Sequence, residues 1–424
     1  MSAAVREHVV VVGASTAGHA AAERLRESGF TGRLTIIGDE PHHPYNRTPL
    51  SKQLLTGEYQ VKDLKLPIYT DLDATWRLGT PATGLDTTRR VVTLHGGEEI
   101  SYDGLVIATG TAARALPGAP MHHPRVHMLR SLEDAHEIDQ ALGHSHRRVL
   151  VIGGGFIGCE LASTCRKRGL DVTIVDVSST LLTRALGHPL GAIVGDIHRD
   201  AGVRLHLGTG VSGWDETGKD IKVLLEDGEI LTGDAAVVGI GTVPRVEWLR
   251  GAGLDTADGV LTSATCHAVT ADGTPLADVV VAGDVARWPN PMFGPTPHRV
   301  EHWINAIEMG QAAADNLLAG PEGARPFTPV PRFWSEQHGV KIQSIGMPTL
   351  GSTVRVLEGT AASRRLVAAF TEPEPGAAPG DPERLMGVVA LDDAVRLLDY
   401  APLVGTRVKP NPASPTITLA SSTA

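Results

Sequence analysis

Short unbroken apolar runs, separated by longer amphipathic stretches, set the rhythm of this chain. Residues 9–12, 34–37, 149–152, 172–175, 235–241 and 279–282 are rich in Val, Ile, Ala and Gly and have the length of strands. A strand that is apolar on both sides is buried on both faces, as in a parallel sheet covered by helices. Two of these runs pass at once into a glycine-rich turn and an amphipathic, helical segment, the pattern of a βαβ unit. The rhythm predicts an α/β protein.

The turn after residues 149–152 reads Gly153-Gly-Gly155-Phe156-Ile157-Gly158, the order G-x-G-x-x-G. Gly153 permits the tight turn, Gly155 lets backbone approach a pyrophosphate, and Gly158 lets the helix pack closely on its strand. Exposed N–H groups at the helix start then face phosphate charge. The next strand, 172–175, runs into Asp176. That acid lies roughly 20 residues past the first glycine, where a carboxylate binds a ribose 2′-OH. Strand, loop, helix and acid together predict a dinucleotide site. A second loop, Gly13-Ala-Ser15-Thr-Ala17-Gly18, follows residues 9–12, with serine replacing the middle glycine, and the strand 34–37 leads to Asp39 and Glu40. Asp39, nearer the strand end, is the better ribose ligand, although an ordinary turn acid would look the same.

Between and beyond these units the pattern changes. Residues 44–52, Pro-Tyr-Asn-Arg-Thr-Pro-Leu-Ser-Lys, read as an ordered loop with Ser51 capping a following helix. Val91–Leu94 suggest one arm of a hairpin turning at Gly96-Gly97, and 102–110 a buried strand ending in a glycine turn. Residues 298–318 read as a helix. From Pro326 onward, 352–358, 365–371 and 385–391 look like antiparallel strands and 392–400 a helix, with 372–383 an acidic Pro/Gly loop. One nucleotide unit is therefore expected to be inserted in another. The expected boundaries are 1–112 and 237–322 for the outer Rossmann-like domain, 113–236 for the inserted one and 323–408 for a C-terminal α+β domain. A small polar tail, 409–424, is expected to be disordered.

Composition narrows the chemistry. A net charge of −10 argues against a general nucleic-acid binder. No apolar run reaches the roughly 18 residues that suggest a membrane span, and a strand begins soon after Met1, so a cytoplasmic protein is expected. The three cysteines, Cys159, Cys165 and Cys266, form no C-x-x-C. They are too few to hold an all-cysteine iron–sulfur cluster, which takes four thiolates. The 18 histidines include His42-His43, His122-His123, His144, His146 and the i,i+4 pair His298 and His302. None has partner ligands at a recognisable spacing, Glu301 being misplaced for H-E-x-x-H. No metal site is expected.

In their order along the chain, Gly38-Asp-Glu, Pro44-Tyr-Asn-Arg, Pro49-Leu-Ser-Lys52, Leu105-Val-Ile-Ala-Thr-Gly110, Leu129-Arg-Ser-Leu-Glu-Asp134, Val281-Ala-Gly-Asp284 and Glu301-His-Trp303 are specific. They resemble the FAD-dependent pyridine-nucleotide reductases with two dinucleotide folds. Within these the likeness is to the ferredoxin reductases that serve ring-hydroxylating oxygenases and cytochromes P450. The resemblance implies a glutathione-reductase-like fold in which the NAD domain is inserted in the FAD domain. It implies that Gly13, Ser15, Ala17 and Gly18 cradle the FAD pyrophosphate, Asp39 takes the ribose and Ala82 faces the adenine. Arg47, Lys52, Ala108, Thr109, Gly110, Arg130, Asp284 and Trp303 complete the FAD set. NAD(H) would be held by Gly153, Gly155, Phe156, Ile157, Gly158, Asp176 and Gly241, with Glu160 near the nicotinamide. Ser15 and Asn46 depart from residues common in such reductases, and neither removes a required group.

Disulphide reductases of this architecture carry a cysteine pair soon after the first loop, and none lies between Glu40 and Gly57 here. A dithiol relay is therefore excluded. The resemblance instead implies that NADH gives a hydride to the flavin, which releases electrons singly to a small ferredoxin, [2Fe–2S] or [3Fe–4S]. Lys52 and Glu160, from different nucleotide domains, would meet there as an ion pair. Asp176, with Ser178 and Ser179 offering no cationic clamp, favours NADH over NADPH. Arg299, Lys341 and Arg407 are candidates for a basic docking patch, on a monomer or homodimer. The rivals are an NADH-dependent flavin oxidase or peroxidase, and a flavoprotein that binds NADH and signals to a partner.

Overall fold

The computed structural model describes residues 6–67, 69–143, 147–378, 380–409 and 416–418. His144 and His146 lie outside the described residues, as does most of the tail. Among the described residues the α-helices are α1 (Thr16–Glu27), α2 (Leu132–Leu142), α3 (Phe156–Lys167), α4 (Thr183–Asp200), α5 (Trp303–Gly323) and α6 (Ala394–Tyr400). The chain forms two compact units, Met1–Asn46 with Lys62–Ala112 and Val243–Pro331, and Arg47–Val61 with Ala113–Thr242 and Arg332–Ala424.

The first unit is built on a sheet in the order His267–Val269, Pro275–Val281, Gly104–Ile107, His8–Val12, Arg33–Ile37, Ala74–Arg77. All neighbours pair in parallel except the first two. His8–Val12 is buried along its whole length, which explains its continuous apolar run. Helices α1 and α5 pack at backbone distance. A Cβ on Gly310 would lie 2.4 Å from the Ala17 carbonyl oxygen, so only glycine fits. The expected hairpin at Gly96-Gly97 is present, joining Val91–Leu94 to Glu99–Ser101. Helix α5 begins at Trp303, not His298. Pro297–His298 instead pairs as a short strand with Ala286–Pro289, and His302 is the extended N-cap. His298 and His302 therefore do not share a helix face.

The second unit holds a parallel sheet in the order Arg204–Leu207, Asp171–Asp176, Arg148–Ile152, Ala235–Val238, Val126–Met128. Its second sheet is antiparallel and includes Arg332–Gln337, Val340–Gly346, Glu383–Leu391, Arg365–Glu372 and Thr353–Thr360 in that order. The first two strands were not expected from the pattern, because Ser335 and Gln337 occupy inward positions. They are joined by His338-Gly339, with φ of 51° and 80°, the backbone of a type I′ hairpin turn. Thr416–Thr418 pairs with Thr353–Thr360, so this part of the tail is a strand rather than disordered.

Residues 47–61 belong to the second unit, so Lys52 and Glu160 share a unit. The sequence reading assigns them to different domains. Hydrogen bonding to α3 is the physical reason: Thr164 Oγ1 donates to the Ser51 carbonyl at 2.7 Å, and Arg168 donates to the Leu55 carbonyl at 3.0 Å.

Candidate active site

In the second unit, Gly153 (φ +113°) and Gly158 are demanded by the protein itself. A Cβ on Gly153 would lie 2.3 Å from the Gly239 oxygen, and one on Gly158 would lie 2.0 Å from the Gly153 oxygen. Gly155 is different. It caps α3 at φ −77°, an ordinary conformation, and a Cβ there would meet nothing within 4 Å. Neither backbone nor neighbours require glycine at 155, and the open space fits a pyrophosphate approaching the helix N-terminus. Phe156 and Ile157 open the helix, and the Phe156 ring meets Phe333 edge-on at 4.9 Å. Asp176 accepts from the Gly154 and Ser178 backbone N–H groups at 2.5 and 2.6 Å, which fixes its carboxylate beside the loop. Gly241 sits at φ +105° beside open space.

The first unit repeats the construction. A Cβ on Gly13 (φ +118°) would lie 2.1 Å from the Ala108 oxygen, and one on Gly18 would lie 1.8 Å from the Gly13 oxygen. Ser15 holds the place of Gly155 as the cap of α1, at φ −103°, so a side chain is tolerated there. Ala17 and Gly18 lie buried in the first turn of α1. Thr109 Oγ1 donates to the Arg245 carbonyl at 2.8 Å, and the Arg245 N–H donates to the Gly110 carbonyl at 3.0 Å. The Arg245 guanidinium is ion-paired with Asp39, and burial lowers its pKa. Arg245 was missed from the sequence, where its only signal is a cation following Pro244. Asp284 lies in the 3₁₀ turn Gly283–Val285, Trp303 opens α5, and Ala82 opens the strand Ala82–Asp86.

Residues 48–57 are a run of turns, without the helix expected after Ser51. Ser51 does not cap; its hydroxyl donates to Glu160 Oε2 at 2.6 Å. Lys52 Nζ lies 2.8 Å from Glu160 Oε1, and Ser335 donates to the same oxygen at 2.6 Å. Glu160, in the first turns of α3, is only 7 % exposed, so three donors converge on a buried carboxylate. Arg47 donates to the Arg130 carbonyl at 2.8 Å in the same unit. Ser335 was also missed, its signal being a polar residue at an inward position of a strand.

All three cysteines are buried and free. Burial raises each thiol pKa, to about 12 for Cys165 and Cys266 and well above the ordinary thiol range for Cys159. They are inert thiols. Among the described residues no group of three or more His, Cys, Asp or Glu is placed to hold a metal, and no helix is long and apolar enough to cross a membrane.

The chain is similar to known proteins over most of its length. The chain is 36 % identical over 360 residues to the benzene 1,2-dioxygenase system ferredoxin–NAD(+) reductase subunit of Pseudomonas putida, covering 83 % of each chain. It is 35 % identical over 340 residues to the biphenyl dioxygenase system ferredoxin–NAD(+) reductase component of Paraburkholderia xenovorans, covering 80 % of each. The reductase in the crystal structure of the covalent putidaredoxin reductase–putidaredoxin complex superposes with a TM-score of 0.85 at 30 % identity, over 96 % of this chain and 94 % of that one. Residues 7–310 match the family described as pyridine nucleotide-disulphide oxidoreductase, and the chain belongs to that family.

Proposed function

We propose that the chain is an FAD-dependent ferredoxin–NAD(+) reductase, passing electrons from NADH to a small iron–sulfur ferredoxin of an oxygenase or cytochrome P450 system. One observation carries this reading away from the disulphide chemistry in the family's name. Every thiol is buried with a raised pKa, and none lies between Glu40 and Gly57. Thiolate is the reactive species, so electrons leave without a dithiol. The two relatives and the solved structure named above act with ferredoxins, and this chain matches them over most of its length.

When bound, FAD supplies the conversion from two-electron to one-electron transfer. The protein's residues bind and orient. Gly13, Ser15, Ala17 and Gly18 present the first helix start to the FAD pyrophosphate, and Asp39 takes the ribose while paired with Arg245. Ala82 lies toward the adenine, and Arg47, Ala108, Thr109, Gly110, Arg130, Asp284 and Trp303 serve the rest of the cofactor. Gly153, Gly155, Phe156, Ile157, Gly158 and Gly241 receive NADH. Asp176, with two acceptor sites already filled by backbone N–H groups, offers its remaining lone pairs to a 2′-OH and repels a 2′-phosphate. Lys52 supplies positive charge where negative charge develops on hydride transfer, and Glu160 holds it in place.

The test is turnover of the FAD-loaded protein with NADH, a panel of [2Fe–2S] and [3Fe–4S] ferredoxins and cytochrome c as the final acceptor. Ferredoxin-dependent reduction of cytochrome c is expected, with kcat/KM higher for NADH than for NADPH. Oxygen consumption or inertness with every ferredoxin would refute the reading, and a clear NADPH preference would remove the role given to Asp176.

A further inference from the structure

Behind Glu160 the hydrogen bonding continues. Ser335 Oγ accepts from Gln337 Nε2 at 3.1 Å, Gln337 Oε1 lies 3.0 Å from His198 Nε2, and His198 Nδ1 lies 3.1 Å from His338 Nε2. The two imidazoles meet edge-on with centroids 4.5 Å apart. The His338 backbone N–H then donates to Ser163 on α3, the helix that carries Glu160, at 2.7 Å.

The polarity of this chain is determined. Glu160, the anionic partner of Lys52, only accepts, so Ser335 must donate to it. Ser335 Oγ therefore accepts from the Gln337 NH₂, which turns the Gln337 carbonyl toward His198 and puts a proton on His198 Nε2. A neutral His198 then accepts at Nδ1 from His338 Nε2–H. Burial lowers the pKa of both imidazoles to about 4, so near pH 7 each is neutral, as this arrangement requires. The Arg166 guanidinium, and His198 once it is itself protonated, oppose protonation of His338. Every hydrogen in the chain points toward one carboxylate oxygen, Oε1, which also receives Lys52.

An ordinary satisfied polar core does not explain the arrangement. Ser335, Gln337 and His198 are each at most 2 % exposed, and apolar residues of similar size would fill their places more cheaply. His198 stands one turn beyond Val194 on a helix stripe that is otherwise apolar or small.

We propose that Ser335, Gln337, His198 and His338 are positioning residues that fix the Glu160 carboxylate, and through it Lys52, in one geometry for hydride transfer. The proposal rests on the reductase reading above. The Gln337 amide interrupts any proton path, so the chain orients charge and does not conduct protons. Its polarised bonds strengthen one another inside a low-dielectric interior.

Anaerobic stopped-flow bleaching of the bound flavin by NADH tests it. Gln337→Leu and His198→Leu are expected to slow bleaching about tenfold with the NADH dissociation constant unchanged, since a small misplacement of a catalytic group is expensive. His198→Gln, which keeps a donor and an acceptor, is expected to restore most of the rate. In a Glu160→Gln background Gln337→Leu is expected to add nothing, whereas a merely structural role would add its effect in full. Histidine ¹⁵N NMR gives a readout apart from activity, with His198 expected neutral and protonated at Nε2 from pH 8 to pH 5. Should Gln337→Leu fail to fold, Ser335→Ala carries the same expectation. Wild-type rates in the leucine variants, additivity with Glu160→Gln, or an Nδ1–H or charged His198 at pH 6 would overturn the proposal. A wild-type flavin that NADH does not bleach would overturn the reductase reading and this proposal together. Normal bleaching that the variants leave unchanged would remove the positioning role alone.

Discussion

At the scale of single residues, the chemistry concentrates on charge held out of water. The Lys52 side chain is 18 % exposed and its partner oxygen on Glu160 is shared with the Ser335 hydroxyl. Removing one member of a buried pair typically costs about 3–5 kcal/mol, because the other charge is left uncompensated. Lys52→Met leaves Glu160 with two hydroxyl donors and no cation. It is expected to lower the thermal midpoint and to slow flavin reduction by NADH about tenfold or more. Stopped-flow absorbance checks the rate, and an unchanged rate would show that the pair is structural only. The cysteines give the opposite expectation. With all three buried and every pKa raised, a thiol reagent at pH 8 is expected to label none in the native protein and three per chain after unfolding. Rapid native labelling of even one would reopen thiol chemistry.

At the scale of elements, the two nucleotide loops separate what the fold needs from what a ligand needs. Gly158→Ala puts a methyl 2.0 Å from the Gly153 oxygen and is expected to destabilise or unfold the second unit. Gly155→Ala meets open space and is expected to leave the thermal midpoint nearly unchanged while raising KM for NADH about tenfold. A Gly155→Ala protein with normal KM would show that pyrophosphate does not approach this loop. The loops were legible in the sequence because strand, turn, helix and acid lie within one continuous stretch, as residues 147–176 do. So was the pairing of Lys52 with Glu160, through family likeness. Other features were hidden for physical reasons. Ser335 reaches Glu160 across 175 positions, and Gln337 reaches His198 across 139, distances over which hydrophobic periodicity carries no information. The strand Arg332–Gln337 buries polar residues, so its alternation reads as surface. Ser51 precedes a plausible helix and looks like a cap, yet its hydroxyl is taken by a carboxylate that only tertiary folding brings near. His298 shares the polarity of the helix that follows, and Pro297 with its strand pairing ends the resemblance.

At the scale of the whole molecule, buried histidines couple stability to pH. His198, His302 and His338 have their pKa lowered to about 4, and His8, His127, His267 and His298 are also lowered, burial being the main cause each time. In the unfolded chain each returns to about 6.5. For His198, His302 and His338, the unfolded state binds protons between those values that the folded state refuses, so the stability they contribute is complete above about pH 6.5 and falls as pH drops toward 4. Every such proton tilts the folding free energy by about 1.4 kcal/mol per pH unit within that window. Carboxylates act in a different window. Asp234, its pKa lowered chiefly by the Arg148 hydrogen bond, contributes stability that is kept until pH falls below the ordinary aspartate range. Two stages are therefore expected in the thermal midpoint of the FAD-loaded protein, a decline beginning near pH 6.5 and a second, steeper one below about pH 4. His198→Gln removes one titrating group while keeping its hydrogen bonds, so it is expected to flatten the first stage and leave the second untouched. Calorimetry from pH 8 to pH 3.5 decides it. A midpoint that stays level down to pH 4, or a first stage equally steep in His198→Gln, would mean that His198 does not enter the buried network as a neutral base.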